Sequence, residues 1–349
     1  MKIVVDEKIK LFSNIVNELG CFENIEFIYI NSKEIDNNIL IDADALFIRS
    51  TTIVNESLLK NTRVKLVGSA TAGLDHLDTN YLHSEEIKWF YSPGCNSSSV
   101  VHYVLAAIAH LDKINIISKE SNTIGIIGCG SIGSKLHLVL NKLNIKSIVC
   151  DPYLKFNHLS SIEEVEKCEL ISIHTPLSFE GSHPTFDMIN KIFFDRSNVK
   201  TLINTSRGSI VNENDLLKLE HINYVADVWA NEPSPNSDII ENAIIATPHI
   251  AGHSHEGKVN GTLNLLLELN KYLNINNESF KKNNESILNF RKKDYLSIDE
   301  VTLNDFSNSY NIISESINFK NLSKMSGKSL QAGEFNEIRA KHEKRHDII

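Results

Sequence analysis

The chain has 349 residues, 42% of them hydrophobic and 23% charged, which excludes wholesale disorder and fits two or three domains of roughly 100–200 residues each. Lys plus Arg number 35 against 44 Asp plus Glu, and the resulting charge of −9 argues against nucleic-acid binding and against adhesion to anionic membranes. No apolar run approaches the ~18 residues that span a bilayer, MKIVVDEK is too short in apolar residues for a secretory signal, and five scattered cysteines (Cys21, Cys95, Cys129, Cys150, Cys168) with no CxxC pair point to reduced thiols in a cytoplasmic protein without disulfides or a metal site.

In chain order, Ile3–Val5 reads as a strand and Leu11–Leu19 has helical spacing. Ala45–Ile48 and Val64–Gly68 are further buried-strand candidates, and this alternation points to a parallel sheet covered by helices. Ser92-Pro93-Gly94 signals a turn. Val100–Leu111 is apolar almost all round and is expected as a buried helix between domains. A second series supplies strand candidates at Thr123–Ile127, Ser147–Cys150, Leu170–Ile173, Thr201–Asn204, Tyr224–Asp227 and Ala243–Ala246. Gly257–Leu273 then reads as a long helix that carries the chain back to the first domain. Asn274–Lys293 has linker composition, and the polar tail after it carries seven Lys/Arg against four Asp/Glu from Lys320 to Ile349. The expected class is α/β, with two Rossmann-like doubly wound parallel-sheet domains and a small C-terminal α+β dimerisation domain. The expected boundaries are residues 1–96 with 255–280 for a discontinuous substrate domain, 97–254 for a nucleotide-binding domain, and 286–349 for the tail. A polar segment of that size has a marginal core of its own, so a second copy of the chain is the expected surface for it.

Gly128-Cys129-Gly130-Ser131-Ile132-Gly133 follows a strand candidate and precedes a helix expected to start near Ser134. In that context GxGxxG is a dinucleotide fingerprint: one glycine for the turn, one for close approach of a pyrophosphate, one for helix–strand packing. The helix N-terminus adds partial positive charge for Gly128, Gly130, Ser131 and Ile132 to present to phosphate. Asp151 follows the next strand, where a carboxylate can bind a ribose diol and would repel a 2′-phosphate, so NAD is expected over NADP.

Three segments after later strands carry polar residues: Asn204-Thr205-Ser206-Arg207-Gly208, Asp227 to Pro233, and Thr247-Pro248-His249-Ile250-Ala251-Gly252. Ligands bind outside the carboxyl ends of strands in open α/β sheets. Hydride removal from a secondary alcohol needs a base near neutral pKa, a carboxylate to orient it, and a guanidinium for a substrate carboxylate; His249, Glu232 and Arg207 match those needs. Taken singly, each has a bland alternative as a core histidine, a turn cap or a surface ion pair.

TSRG, VWANEP and TPHIAG in this order resemble the NAD-dependent D-2-hydroxyacid dehydrogenases, as does His174-Thr175-Pro176. Arg49–Leu59, Gly68–Asp78, the PGCN of Ser92–Val104 and GEFNEIR (Gly333–Arg339) narrow the resemblance to the branch that oxidises a four-carbon phosphorylated sugar acid on the way to pyridoxal phosphate. The resemblance implies substrate contacts from Ser50, Thr71 and the position of His253, where that branch usually carries a phenol. It implies NAD contacts from Asp151, Thr175, Thr205, Ser206, Arg207, Asp227 and Gly252, catalysis by Arg207, Glu232 and His249, and a homodimer built by the tail. The alternatives are a 3-phosphoglycerate or general 2-hydroxyacid dehydrogenase, and a non-catalytic NAD-sensing binding protein.

Overall fold

The computed structural model describes residues 1–156, 159–275, 298–342 and 345–349. Two compact units emerge, Met1–Asn96 with Ser254–Lys293, and Ser97–His253 with Asp294–Ile349.

The first unit is built on β1 (Lys2–Asp6), β2 (Glu26–Ile30), β3 (Ala45–Ile48), β4 (Leu66–Ser69) and β5 (Lys88–Phe90), all parallel in the order β2-β1-β3-β4-β5. Side chains alternate across a strand, so Ile3 and Val5 go to one face and Val4 to the other. The first face packs with Phe12, Ile15 and Leu19 of the helix Phe12–Leu19 and with Val259, Leu263 and Leu266 of the helix His255–Tyr272. The second packs with Leu40, Val54, Leu59 and Leu82. β2 and β5 are absent from the sequence expectation because they lie at the sheet edges and are half-buried or exposed, so neither shows a buried apolar run.

The second unit holds β6 (Ile124–Ile127), β7 (Ser147–Cys150), β8 (Leu170–Ile173), β9 (Thr201–Asn204), β10 (Asn223–Ala226) and β11 (Ile245–Ala246). They form one parallel sheet in the order β11-β10-β9-β8-β6-β7. Successive strands therefore run to opposite sides of β6, and the crevice at that reversal, outside the C-terminal ends of β6 and β8, is where such a sheet binds its ligand.

The helix Ser97–Lys113 is buried along nearly its whole length and packs with Leu136 and Val139 on one side and Leu303 and Phe306 on another. The last two belong to the C-terminal segment, whose described part comprises the helices Leu303–Ser309, Ile312–Met325 and Ala332–Lys341 with no strand of two or more residues. Phe319, Leu330 and Phe335 from the same segment complete a second core cluster with Trp229, Ile239 and Ile240. The polar tail thus finds its packing surface on the second unit of its own chain. Most of the expected linker, from residue 276 on, lies outside the described residues. No helix among the described residues is long and apolar enough to cross a membrane.

Candidate active site

The glycine loop leaves β6 with Gly128 at φ +98°, where an added Cβ would lie 2.5 Å from the His174 carbonyl oxygen. Gly133 packs so closely that its Cβ would lie 1.9 Å from the Gly128 oxygen. Gly130 differs, since a Cβ there would meet nothing within 4 Å: this glycine opens onto free space. It caps the helix Ser131–Lys142, which therefore starts three residues before the expected Ser134. Neither a side-chain cap nor an acidic residue occupies its first turn, so the N–H groups of that turn remain open to an anion.

Asp151 follows β7 and accepts from the Cys129 N–H at 2.9 Å and the Tyr153 N–H at 3.1 Å, which ties the acid to the glycine loop. After β8, His174 is buried with its ring 2.9 Å from Ser172 Oγ, and burial holds its imidazole down to about 3, so it is neutral. Thr175 Oγ1 is buried without a hydrogen-bond partner among the described residues. Thr205 and Ser206 follow β9, and Ser206 Oγ donates to the Ile173 carbonyl at 2.8 Å. Arg207 is fixed by its Nη1 donating to the Ser206 carbonyl at 2.8 Å and by Asn204 Nδ2 donating to its own carbonyl at 3.0 Å. The glycine after it is sterically required, because a Cβ on Gly208 would lie 1.8 Å from the Trp229 carbonyl carbon.

The structure brings Glu232 and His249 together: His249 Nδ1 lies 2.7 Å from Glu232 Oε2. The other carboxylate oxygen accepts from the Trp229 N–H at 2.9 Å. Burial alone would raise the Glu232 carboxyl, but the His249 ring, the Trp229 N–H and the Arg339 guanidinium outweigh it and hold the group below its ordinary value. The contact also fixes the ring's roles, because a carboxylate can only accept, so Nδ1 donates and Nε2 is left as the basic nitrogen. His249 has a left-handed backbone, φ +57°, and its N–H donates to the Asp227 carbonyl at 2.7 Å.

Asp227 organises the whole loop. Its buried carboxylate accepts from Thr247 Oγ1 at 2.6 Å, the Ile250 N–H at 2.7 Å and the Ala251 N–H at 2.8 Å. Thr247 is held in turn by Tyr103 Oη at 2.6 Å. Sequence reasoning singled out Asp227 but not this role. It missed Glu213 as well, which accepts from the Ala230 N–H at 2.8 Å and whose carboxyl is pushed up to about 7 by burial, with Glu232 nearby adding to the effect. The tail enters the same loop, with Arg339 Nε donating to the His249 carbonyl at 3.1 Å and Arg345 donating to the carbonyls of Ile250 at 3.3 Å and His253 at 3.4 Å. The ring of His253 lies 6.1 Å from that of His342, between centroids.

Ser50 and Thr71 belong to the first unit, just past the ends of β3 and β4. Thr71 Oγ1 is 2.8 Å from Ser69 Oγ, which is 2.8 Å from His76 Nε2. Burial depresses the His76 imidazole to about 4, so a neutral ring ends this hydroxyl chain.

Residues 107–251 match the sequence profile described as "D-isomer specific 2-hydroxyacid dehydrogenase, NAD binding domain". The chain is 39% identical over 292 residues to the erythronate-4-phosphate dehydrogenase of Wigglesworthia glossinidia brevipalpis, covering 80% of this chain and 75% of that one. It is 37% identical over 287 residues to the enzyme of the same name from Bacteroides fragilis, covering 79% and 81%. The chain belongs to the erythronate-4-phosphate dehydrogenase family. Among solved structures, NAD⁺-bound 3-phosphoglycerate dehydrogenase of Entamoeba histolytica superposes with a TM-score of 0.66 at 25% identity, over 78% of this chain and 95% of that one. D-lactate dehydrogenase of Aquifex aeolicus gives a TM-score of 0.60 at 20% identity, over 80% and 98%, a likeness of fold. As a member of this dehydrogenase family the chain is an NAD-dependent oxidoreductase. The residues present fit that cofactor: the open space at Gly130, the uncapped helix start and the orphaned Thr175 hydroxyl are each what a bound dinucleotide would complete.

Proposed function

We propose that this enzyme oxidises 4-phospho-D-erythronate at C2 to (R)-3-hydroxy-2-oxo-4-phosphooxybutanoate, a step toward pyridoxal phosphate. The observation that carries the reading is the 2.7 Å contact of His249 with Glu232, within a family whose relatives bear the name of this reaction. NAD, when bound, supplies the hydride acceptor. Gly128, Gly130, Ser131, Ile132, Asp151, Thr175, Thr205, Ser206, Arg207, Asp227 and Gly252 would hold it.

Nε2 of His249 takes the proton of the C2 hydroxyl, and Glu232 stabilises the imidazolium that results. The Arg207 guanidinium pairs with the substrate carboxylate and polarises the reacting oxygen. Ser50, Thr71 and His253 contact the substrate. An imidazole at 253 still donates a hydrogen bond, and in its protonated form it attracts a phosphate.

The test is turnover of purified protein with NAD and 4-phospho-D-erythronate in the presence of a carbonyl trap, followed by NADH absorbance beside 3-phosphoglycerate and unphosphorylated erythronate. Turnover of the four-carbon phosphate alone is expected. Preference for another acid would move the substrate assignment, with His253→Tyr the first substitution to make.

We also propose that the chain is a homodimer through residues 286–349. Ile317 and Met325 support this: both lie on the helix Ile312–Met325 and are 53% and 84% exposed, apolar surface that a second copy would cover.

A further inference from the structure

His249 is the catalytic histidine of the reading above, and its backbone is in the left-handed conformation, φ +57°, which a non-glycine residue adopts only at a cost. Such a conformation persists when the surroundings fix it from more than one side. The N–H side is fixed by the Asp227 carbonyl at 2.7 Å. The C=O side is fixed by Arg339, whose Nε–H meets the His249 carbonyl at 3.1 Å.

Arg339 lies on the helix Ala332–Lys341, in the C-terminal segment, and faces Glu232, Asp227 and Arg207 electrostatically. Its cation therefore touches the catalytic histidine by the backbone and feels the charge of both carboxylates that organise it. Arg345, six residues on, is stacked 4.3 Å over the Tyr310 ring and spreads its N–H groups over the carbonyls of Ile250, Ala251 and His253 and that of Ser99. The acceptors of the loop are thus read by two arginines of the tail, while its donors are read by Asp227. Arg345 holds the outer part of the loop. Arg339 holds the peptide of the base itself.

We propose that Arg339 is a positioning residue for the reaction: through the His249 carbonyl it sets the angle at which the imidazole meets Glu232 and the substrate hydroxyl. The inference rests on the assignment of His249 as base, and it gives the C-terminal segment a task in catalysis within its own chain.

The test uses the full-length protein with Arg339→Gln and Arg339→Lys, and Lys341→Gln as a control on the exposed face of the same helix. Two readouts are taken. The first is the far-downfield proton resonance of the His249 Nδ1–H···Glu232 contact, identified by its loss in His249→Gln. The second is kcat beside the NAD dissociation constant and the melting temperature.

In Arg339→Gln the resonance should shift or broaden and kcat should fall about 10- to 100-fold, with NAD affinity and melting temperature unchanged. Millimolar guanidinium should restore part of kcat. Arg339→Lys, which keeps the charge and a donor, should fall between, and the control should match wild type. An unmoved resonance with unchanged kcat overturns the proposal. So does a loss of kcat that comes together with lost NAD binding and cooperative unfolding, in both variants. Should the wild-type protein oxidise no 2-hydroxy acid, the functional reading fails and with it the part of Arg339 in the reaction, and a resonance that still moves in Arg339→Gln then shows only that Arg339 orients the ring; a resonance that stays overturns that as well.

Discussion

Two carboxyls flank the turn Trp229 to Pro233, and their surroundings push them in opposite directions. Glu232 is held below its ordinary value, so its contribution to stability is present above the unfolded value and lost as pH falls through the folded one. Glu213 is raised from 4.5 to about 7, so its contribution is present below 4.5 and lost as pH rises through about 7. Glu213→Gln keeps the acceptor for Ala230 and removes the buried charge. It should stabilise the protein at pH 8 by on the order of 1–3 kcal/mol and leave it unchanged at pH 4, as measured by denaturant midpoints; equal effects at both pH values would remove burial of charge as the cause. At the chemical centre, His249→Ala should lower kcat by roughly 10²–10⁴ while NAD affinity, measured by fluorescence titration, barely moves, since binding a dinucleotide needs no base. An NAD-sensing protein would show no such split. His249, Glu232 and Arg207 are legible in the sequence because each stands just past a buried apolar run. Arg339 is not, because its significance comes from a carbonyl 90 residues earlier in the chain.

At the scale of elements, a strand with buried residues announces itself, and an outer strand does so only where part of it is covered. Ala45–Ile48, Leu170–Ile173 and Thr201–Asn204 have the bounds that their apolar runs imply, and so does the outer strand Ser147–Cys150, whose Val149 and Cys150 are buried, whereas β2 carries Glu26 and Tyr29 in a pattern with no buried face to declare. The start of the helix at Ser131 is hidden for a related reason: its cap is a glycine, so no Ser, Thr, Asp or Asn marks it. Two glycines of that loop make separable predictions. Gly133→Ala forces a methyl onto a backbone oxygen and should destabilise the protein by about 1–3 kcal/mol. Gly130→Ala meets only open space at an ordinary φ of −75°, so it should leave the melting temperature in place and weaken NAD binding. Calorimetry and a binding titration on the pair distinguish a fold glycine from a ligand glycine; a stable Gly133→Ala would contradict the packing.

For the whole molecule, the C-terminal segment is the part whose role the sequence least discloses. Its composition is polar, yet Phe306, Phe319 and Phe335 are fully buried in the second unit. Phe306→Ala should cost about 3–5 kcal/mol and show as a lowered urea midpoint. Ile317→Lys together with Met325→Lys should give a monomer by light scattering, with a urea midpoint that no longer depends on protein concentration; a persistent dimer would send the proposed interface elsewhere.

The dependence of His249 on Arg339 also has a consequence in time. During synthesis at about 5–20 residues per second, the 90 residues between the two take roughly 5–20 s to add. Over that interval the glycine loop and the base have been made, but the arginine that fixes the base has not. A nascent chain is therefore expected to acquire dinucleotide binding before it acquires turnover, and messages broken between codons 336 and 339, once Phe306, Phe319 and Phe335 have been supplied to the core, would yield protein that sequesters cofactor without using it. Ribosome-stalled chains ending before and after residue 339, assayed for NAD retention and for NADH production, would show whether the two properties arrive in that order.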